Sequence, residues 1–181
     1  MIQKRKKEIE QLAMRILSQY RIMDNPGQHL QIILDGEQIQ LLGYDDWAVD
    51  ICGRFMYIGD DPVIFFNSKH TQAMQAFTIA HELGHYFLKH LENEEAEIIC
   101  LNRDFQRMDD SSDAKKEREV EANYFAACLL LPLNLIYPVF ETFMQSQRLA
   151  GILYVDKQQC NFVAYKRCIW AFKMHFTASE T

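Results

Sequence analysis

The stretch that most constrains this chain is residues 77–88, where His81, Glu82 and His85 interrupt an otherwise apolar run. Residues 71–91 carry a helical pattern, with Met74, Phe77, Thr78, His81, His85 and Leu88 along one side. A helix this apolar belongs in the interior, where unpaired imidazole and carboxylate groups are costly. Any fold the chain adopts must therefore bring partners to these three groups. Residues four apart on a helix share a face about 6 Å apart, so His81 and His85 can grip a single ion. Glu82 then points toward the adjacent open coordination position, where it can take a proton from an activated water and pass it to a leaving amine. Zinc suits the pattern, one ion per chain, because it lowers the pKa of water to about 7 and polarises a carbonyl with no protein nucleophile. Gly84 costs roughly 1 kcal/mol in a helix relative to alanine, which close packing beneath the metal would explain.

A hydrolytic zinc needs a third protein ligand and one open position. A second helix spans residues 114–131 and is stopped by Pro132. On it Glu119 and Asn123 are four apart and share a face with Ala122 and Ala126, whose small side chains allow close helix approach. Glu119 is read as the third metal ligand and Asn123 as a hydrogen-bond partner that orients a ligating imidazole. Glu121 is the alternative ligand. It lies about 200° around the helix from Glu119, so only one of them can face the ion. The other is expected to be a solvated surface carboxylate paired with an arginine or lysine.

Around these helices the pattern is mixed. Ile9, Leu12, Ala13, Ile16, Leu17 and Tyr20 form the stripe of an amphipathic helix over residues 4–23. Residues 30–34, 38–42, 54–58 and 63–66 read as short strands of a small, mostly antiparallel sheet, with a hairpin turn at residues 59–62. Residues 92–113 are acidic and polar around an apolar patch at 98–101, and residues 109–113 read as a loop that can border a cleft. Residues 136–181 read as further helices and a polar tail. The expected organisation is a domain over residues 1–135 and a helical C-terminal segment over residues 136–181.

The five cysteines, Cys52, Cys100, Cys128, Cys160 and Cys168, are odd in number and never form a C-x-x-C pair, which suggests neither a disulfide framework nor a cysteine zinc site. The basic cluster Lys4, Arg5, Lys6 and Lys7 precedes no apolar leader core, and no apolar run approaches the roughly 20 residues of a membrane span. A soluble, cytoplasmic protein without a membrane partner is expected. With 25 acidic against 19 basic residues, nucleic acid is not the default direct partner.

The run from Phe77 to His85, followed by Glu119, Glu121, Ala122, Asn123, Phe125 and Ala126 and by Leu129 to Pro132, resembles the ImmA/IrrE family of metallopeptidases. The resemblance covers about residues 30–132. The element Glu119-x-x-Ala122-Asn123 is also similar to the third-ligand helix of thermolysin-like and neprilysin-like zinc peptidases, which favours Glu119 over Glu121. The resemblance implies an α+β, zincin-like fold, with the sheet packed on the metal-binding helix and on a second ligand-bearing helix. It also implies a cytoplasmic protein of phage or mobile-element type that cleaves a helix-turn-helix repressor. The alternative is a metal-bearing regulatory module that binds a repressor or DNA without cleavage.

Several residues stand outside this core. His90, about 140° around the helix from His85, reads as a surface or helix-end residue. His70 reads as a helix cap or cleft residue, and His29 and His175 as structural. Tyr86 and Tyr124 are candidates to stabilise an oxyanion, although packing is the commoner use of tyrosine. Residues 63–67 read as an edge strand that pairs with an extended substrate. Residues 149–167 resemble a degenerate helix-turn-helix with a packing or partner-docking role.

Overall fold

The computed structural model describes residues 3–91, 97–101 and 114–136. The chain divides into two compact units, residues 1–130 and residues 131–181, and the second is described only over its first six residues. There the amides of Leu135 and Ile136 donate to the carbonyl of Pro132. The loop at residues 109–113, the helices expected after residue 136 and the helix-turn-helix-like stretch lie outside the described residues.

In the first unit, helix α1 (Gln3–Gln19) buries Ile9, Ala13, Ile16 and Leu17. A 3-10 turn (Pro26–Gln28) leads into helix α2 (Leu30–Gly36). Strands β1 (Gln40–Tyr44), β2 (Ile51–Ile58) and β3 (Asp61–Asn67) follow, then helix α3 (Gln72–Phe87), strand β4 (Glu97–Leu101) and helix α4 (Ala114–Leu130). The sheet order is β1-β3-β2-β4; the β1–β3 pairing is parallel and the other two are antiparallel. The fold is therefore α+β with a small, mostly antiparallel sheet, as the sequence suggested. The β2–β3 hairpin turns through Gly59 and Asp60, and only Gly59 takes a positive φ, 65°.

Three readings of the sequence need correction. Residues 30–34 are helix, not strand: Leu30, Ile33 and Leu34 follow helical spacing and are buried, while Ile32 is left half-exposed. The segment at residues 63–67 is not an edge strand, since β3 lies between β1 and β2. Among the described strands the edges are β1 and β4, and β4 comes from the short apolar patch at residues 98–101.

The third correction concerns where α3 ends. Thr71 caps its start, accepting a hydrogen bond from the Met74 amide. The helix stops at Phe87 because Lys89 adopts a left-handed φ of 59°. The amide of His90 then donates to the carbonyl of His85 and that of Lys89 to Tyr86, the two bonds of a Schellman cap. Arg21 after α1 and Gln38 after α2 end their helices by the same pair of bonds.

The core joins the inner faces of α1 and α2, the sheet residues Phe55 and Ile64, and Ile79, Ala80, Leu83, Phe125, Ala126 and Leu129 of the two long helices. Helices α3 and α4 approach closely at Gly84. A Cβ there would stand 3.0 Å from the Ala122 Cα and 3.2 Å from the Phe125 side chain. The missing side chain thus sets the spacing of the two helices that carry the site.

Candidate metal centre

Residues 78–85 of α3 are all buried, and His81, Glu82 and His85 are wholly so. From α4, Glu119 reaches the same point. Its Oε2 lies 3.2 Å from His81 Nε2, its Oε1 lies 3.7 Å from His85 Nε2, and the two Nε2 atoms are 2.9 Å apart. Oε2 of Glu119 makes no properly directed hydrogen bond despite that proximity.

The proton positions follow from the outer partners. His81 Nδ1 lies 2.9 Å from Asn123 Oδ1, an acceptor, so it carries the hydrogen and leaves a lone pair on Nε2. On the other side His90 Nε2 faces Glu121 Oε2 at 3.4 Å and donates to it. With Nε2 as the donor, the Nδ1 of His90 accepts from the Nδ1–H of His85, 2.9 Å away, and the Nε2 of His85 also presents a lone pair. Burial pushes the pKa of His85 down to about 3 against the opposing influence of Glu119, so the ring is neutral. Burial works to raise Glu119, but the adjoining His81 and His85 outweigh it and hold the carboxyl below its usual range. Two imidazole nitrogens and a carboxylate thus converge on one buried point, a donor set that suits a cation.

The spacing fits one. A tetrahedral ion with ligand bonds of about 2.0–2.2 Å separates its ligand atoms by roughly 3.3–3.6 Å, and the three observed separations bracket that range. His81, His85 and Glu119 accordingly form a group of potential metal ligands.

Glu82 stands beside this group with both carboxylate oxygens buried and without a hydrogen-bond partner. Burial, reinforced by the nearby Glu119 charge, raises its pKa well above the usual carboxylate value. Strand β2 crosses directly over it: a Cβ on Gly53 would come within 2.5 Å of Thr78 Cγ2 and 2.8 Å of Glu82 Oε1. Gly53 is a site residue that the sequence pattern did not single out, because nothing in a strand-like run marks a close approach of backbone to a side chain.

The other candidates lie elsewhere. Glu121 is neither a ligand of this group nor a solvated carboxylate. It is buried, and its two oxygens accept from Arg5 Nε and Nη2 of α1 at 2.8 and 2.7 Å. Burial raises its pKa, but His90 and Arg5 lower it further, to about 2. His90 is likewise buried and not a surface residue, because the cap folds it back onto His85. The signal that could have found it is the end of the helix one turn earlier. Tyr86 and Tyr124 are not free to stabilise an oxyanion: the Tyr86 hydroxyl donates to Glu37 Oε2 at 3.1 Å, and that of Tyr124 to Glu10 of α1. Burial and Glu37 push the Tyr86 pKa up to about 12. His70 lies just before Thr71 with its Nε2 2.9 Å from the carbonyl of Val49, and His29 is near Asp24; His175 lies outside the described residues.

A buried helix presenting two imidazoles and a carboxylate, with a second carboxylate from a neighbouring helix and a small sheet over it, is a zincin-like arrangement, the framework of metal-dependent peptidases. Residues 32–163 match the peptidase family M78, the IrrE N-terminal-like domain, and the chain belongs to that family of metallopeptidases. Comparison with curated proteins finds none that matches the chain. Membership makes the chain a peptidase and hence a hydrolase, and it implies a metal, for which His81, His85 and Glu119 are suitably placed. No described helix is long and apolar enough to cross a membrane.

Proposed function

We propose that the protein is a zinc-dependent endopeptidase of the ImmA/IrrE type that acts in the cytoplasm and cleaves a helix-turn-helix transcriptional repressor. The observation that carries the peptidase chemistry is the Glu82 carboxylate, buried and unpartnered beside three converging metal donors. A carboxylate in that state lacks only a proton-bearing partner, and an attacking water supplies one. The repressor as substrate, the cytoplasmic setting and a phage or mobile-element origin rest on the family resemblance alone.

In this reading His81, His85 and Glu119 hold one zinc ion. When bound, the ion polarises the scissile carbonyl and acidifies the attacking water. Glu82 takes the proton of that water and delivers it to the leaving amide nitrogen. Its raised pKa suits both halves of the task, since it holds the proton long enough to pass it on. Asn123 and His90 keep both imidazoles in the tautomer that leaves Nε2 open. Strand β4, at the sheet edge, offers its outer side to an extended substrate.

The test uses the zinc-loaded full chain with a helix-turn-helix repressor encoded beside it. Cleavage is expected, and Glu82→Gln is expected to reduce it by about 10²–10⁴-fold with zinc content unchanged. Undiminished cleavage by that variant would remove Glu82 from the mechanism. A repressor that leaves DNA while staying full length would favour a binding module over a peptidase.

A further inference from the structure

The face of the sheet turned away from α3 takes no part in the metal centre, yet it is apolar and half-exposed. Strand alternation separates the two faces: a Cβ on Gly53 would meet Thr78 and Glu82 of α3, so its neighbour Arg54 projects to the far side. Leu42, Phe65, Arg54 and Ile99 are register partners in one row across all four strands on that side. Leu42 is 44% exposed and Ile99 37%. Two residues beyond Leu42, the Tyr44 ring lies 5.2 Å from that of Trp47, which lies 6.4 Å from Phe65 and has the Arg54 guanidinium over it at 5.6 Å.

The charge beside this strip has one sign. Arg54 is paired with Glu97 at 3.1 Å, whereas Asp45, Asp46 and Asp50, in the loop from β1 to β2, are exposed and form no ion pair among the described residues. Lys69, exposed in the turn after β3, does not neutralise them through an ion pair. The loop is fixed: buried Asn67 donates through Nδ2 to the carbonyls of Ala48 and Ile51 at 3.2 and 2.9 Å, and His70 Nε2 meets that of Val49 at 2.9 Å. Val49 itself is held out to solvent, 67% exposed. Contiguous exposed apolar surface with a polar rim marks an interaction site, and a rim of one sign selects a partner of the other. A second copy on the same face would set these carboxylates against their own counterparts.

We propose that this face docks a cationic segment of the substrate protein, with arginines or lysines set around an apolar side chain, outside the metal centre. The inference rests on the reading above that the substrate binds DNA, since such a protein carries a basic face for phosphate. Arginine suits the surface best, because its guanidinium pairs with carboxylates and stacks on rings such as Tyr44 and Trp47. The apolar side chain lies against Leu42 and Val49. Docking here gathers substrate without touching the reacting groups, so it acts on KM and not on kcat.

The experiment measures binding of a fluorescently labelled helix-turn-helix repressor, encoded beside the gene, to the zinc-loaded full chain carrying Glu82→Gln, over a range of salt concentrations. Asp45→Asn, Asp46→Asn and Asp50→Asn together are expected to weaken binding about tenfold at low salt and to flatten its salt dependence. Asp24→Asn, Asp60→Asn and Asp61→Asn together remove the same three charges from the net −6 at other exposed positions, and less than about a twofold effect is expected. Leu42→Ser with Val49→Ser should weaken binding and leave its salt dependence unchanged. With Glu82 restored, the first triple variant should raise KM for cleavage at constant kcat. Equal effects of the two triples, or binding that neither the first triple nor the Leu42 and Val49 pair weakens, overturn the proposal. So does a dimer of the free chain that the Leu42 and Val49 pair dissociates, which gives the face to a second copy. A repressor that the wild type neither binds nor cleaves overturns the substrate reading itself, and the docking face with it.

Discussion

The two imidazoles of the centre are oriented in different ways. His81 Nδ1 meets the amide oxygen of Asn123, which sits one turn beyond Glu119 on α4. His85 is held by a relay of three side chains, His90, Glu121 and Arg5, that runs out of the site to the first turns of α1. The first arrangement uses the helix face that also carries Glu119. The second links residues 116 positions apart and makes the N-terminal helix part of the metal centre. The chemistry at the Nδ1 of His85 thus depends on α1 as well as on α4. Damage on the His85 side should spread into stability and pH dependence, while damage on the His81 side should stay with the metal.

The largest effect expected is on metal affinity. Asn123→Ala and His90→Ala should each weaken zinc binding by about 10–100-fold, since each removes the acceptor that fixes a ligand tautomer. Competition with a chromogenic chelator measures both. The comparison breaks if either variant binds like the wild type. A smaller effect is expected at the far end of the relay: Arg5→Ala should cost about 1 kcal/mol of stability, because the arginine is partly exposed, and should weaken zinc by less than about tenfold. Thermal unfolding of the metal-free protein reads the first quantity. In a double-mutant cycle Arg5 should couple to His90 and not to Asn123.

The smallest effect is a pH dependence. The folded pKa of Glu121 is depressed from 4.5 to about 2, so its contribution to stability is fully present above about pH 4.5 and is lost as pH falls toward about 2. Glu121→Gln should flatten that acid limb in the metal-free protein, and Asn123→Ala should not. Denaturant titrations between those two pH values decide the matter.

The same contrast marks how much was legible in the sequence. The His81 side was, since His81, His85, Glu119 and Asn123 lie at helical spacings within two segments, and a face is readable from spacing alone. Close approach at Gly84 was legible for the same reason. The His85 side was not. It depends on a left-handed Lys89, which periodicity does not reveal, and on Arg5 crossing from α1, which no local pattern specifies. The sheet shows the same division. The hairpin at Gly59 was readable from its turn residues, whereas the interior position of β3 follows from a parallel pairing with β1 that turn chemistry does not encode. Residues 30–34 misled because an apolar run that short suits a strand or a buried helical turn equally well.

In the proposed centre Glu119 completes the metal site while Glu121 serves the relay. The most direct measurement is the zinc retained per chain by Glu119→Gln and by Glu121→Gln, purified side by side and passed through gel filtration after loading. Close to one zinc is expected in Glu121→Gln and little in Glu119→Gln. Zinc retained by Glu119→Gln and lost from Glu121→Gln would contradict it.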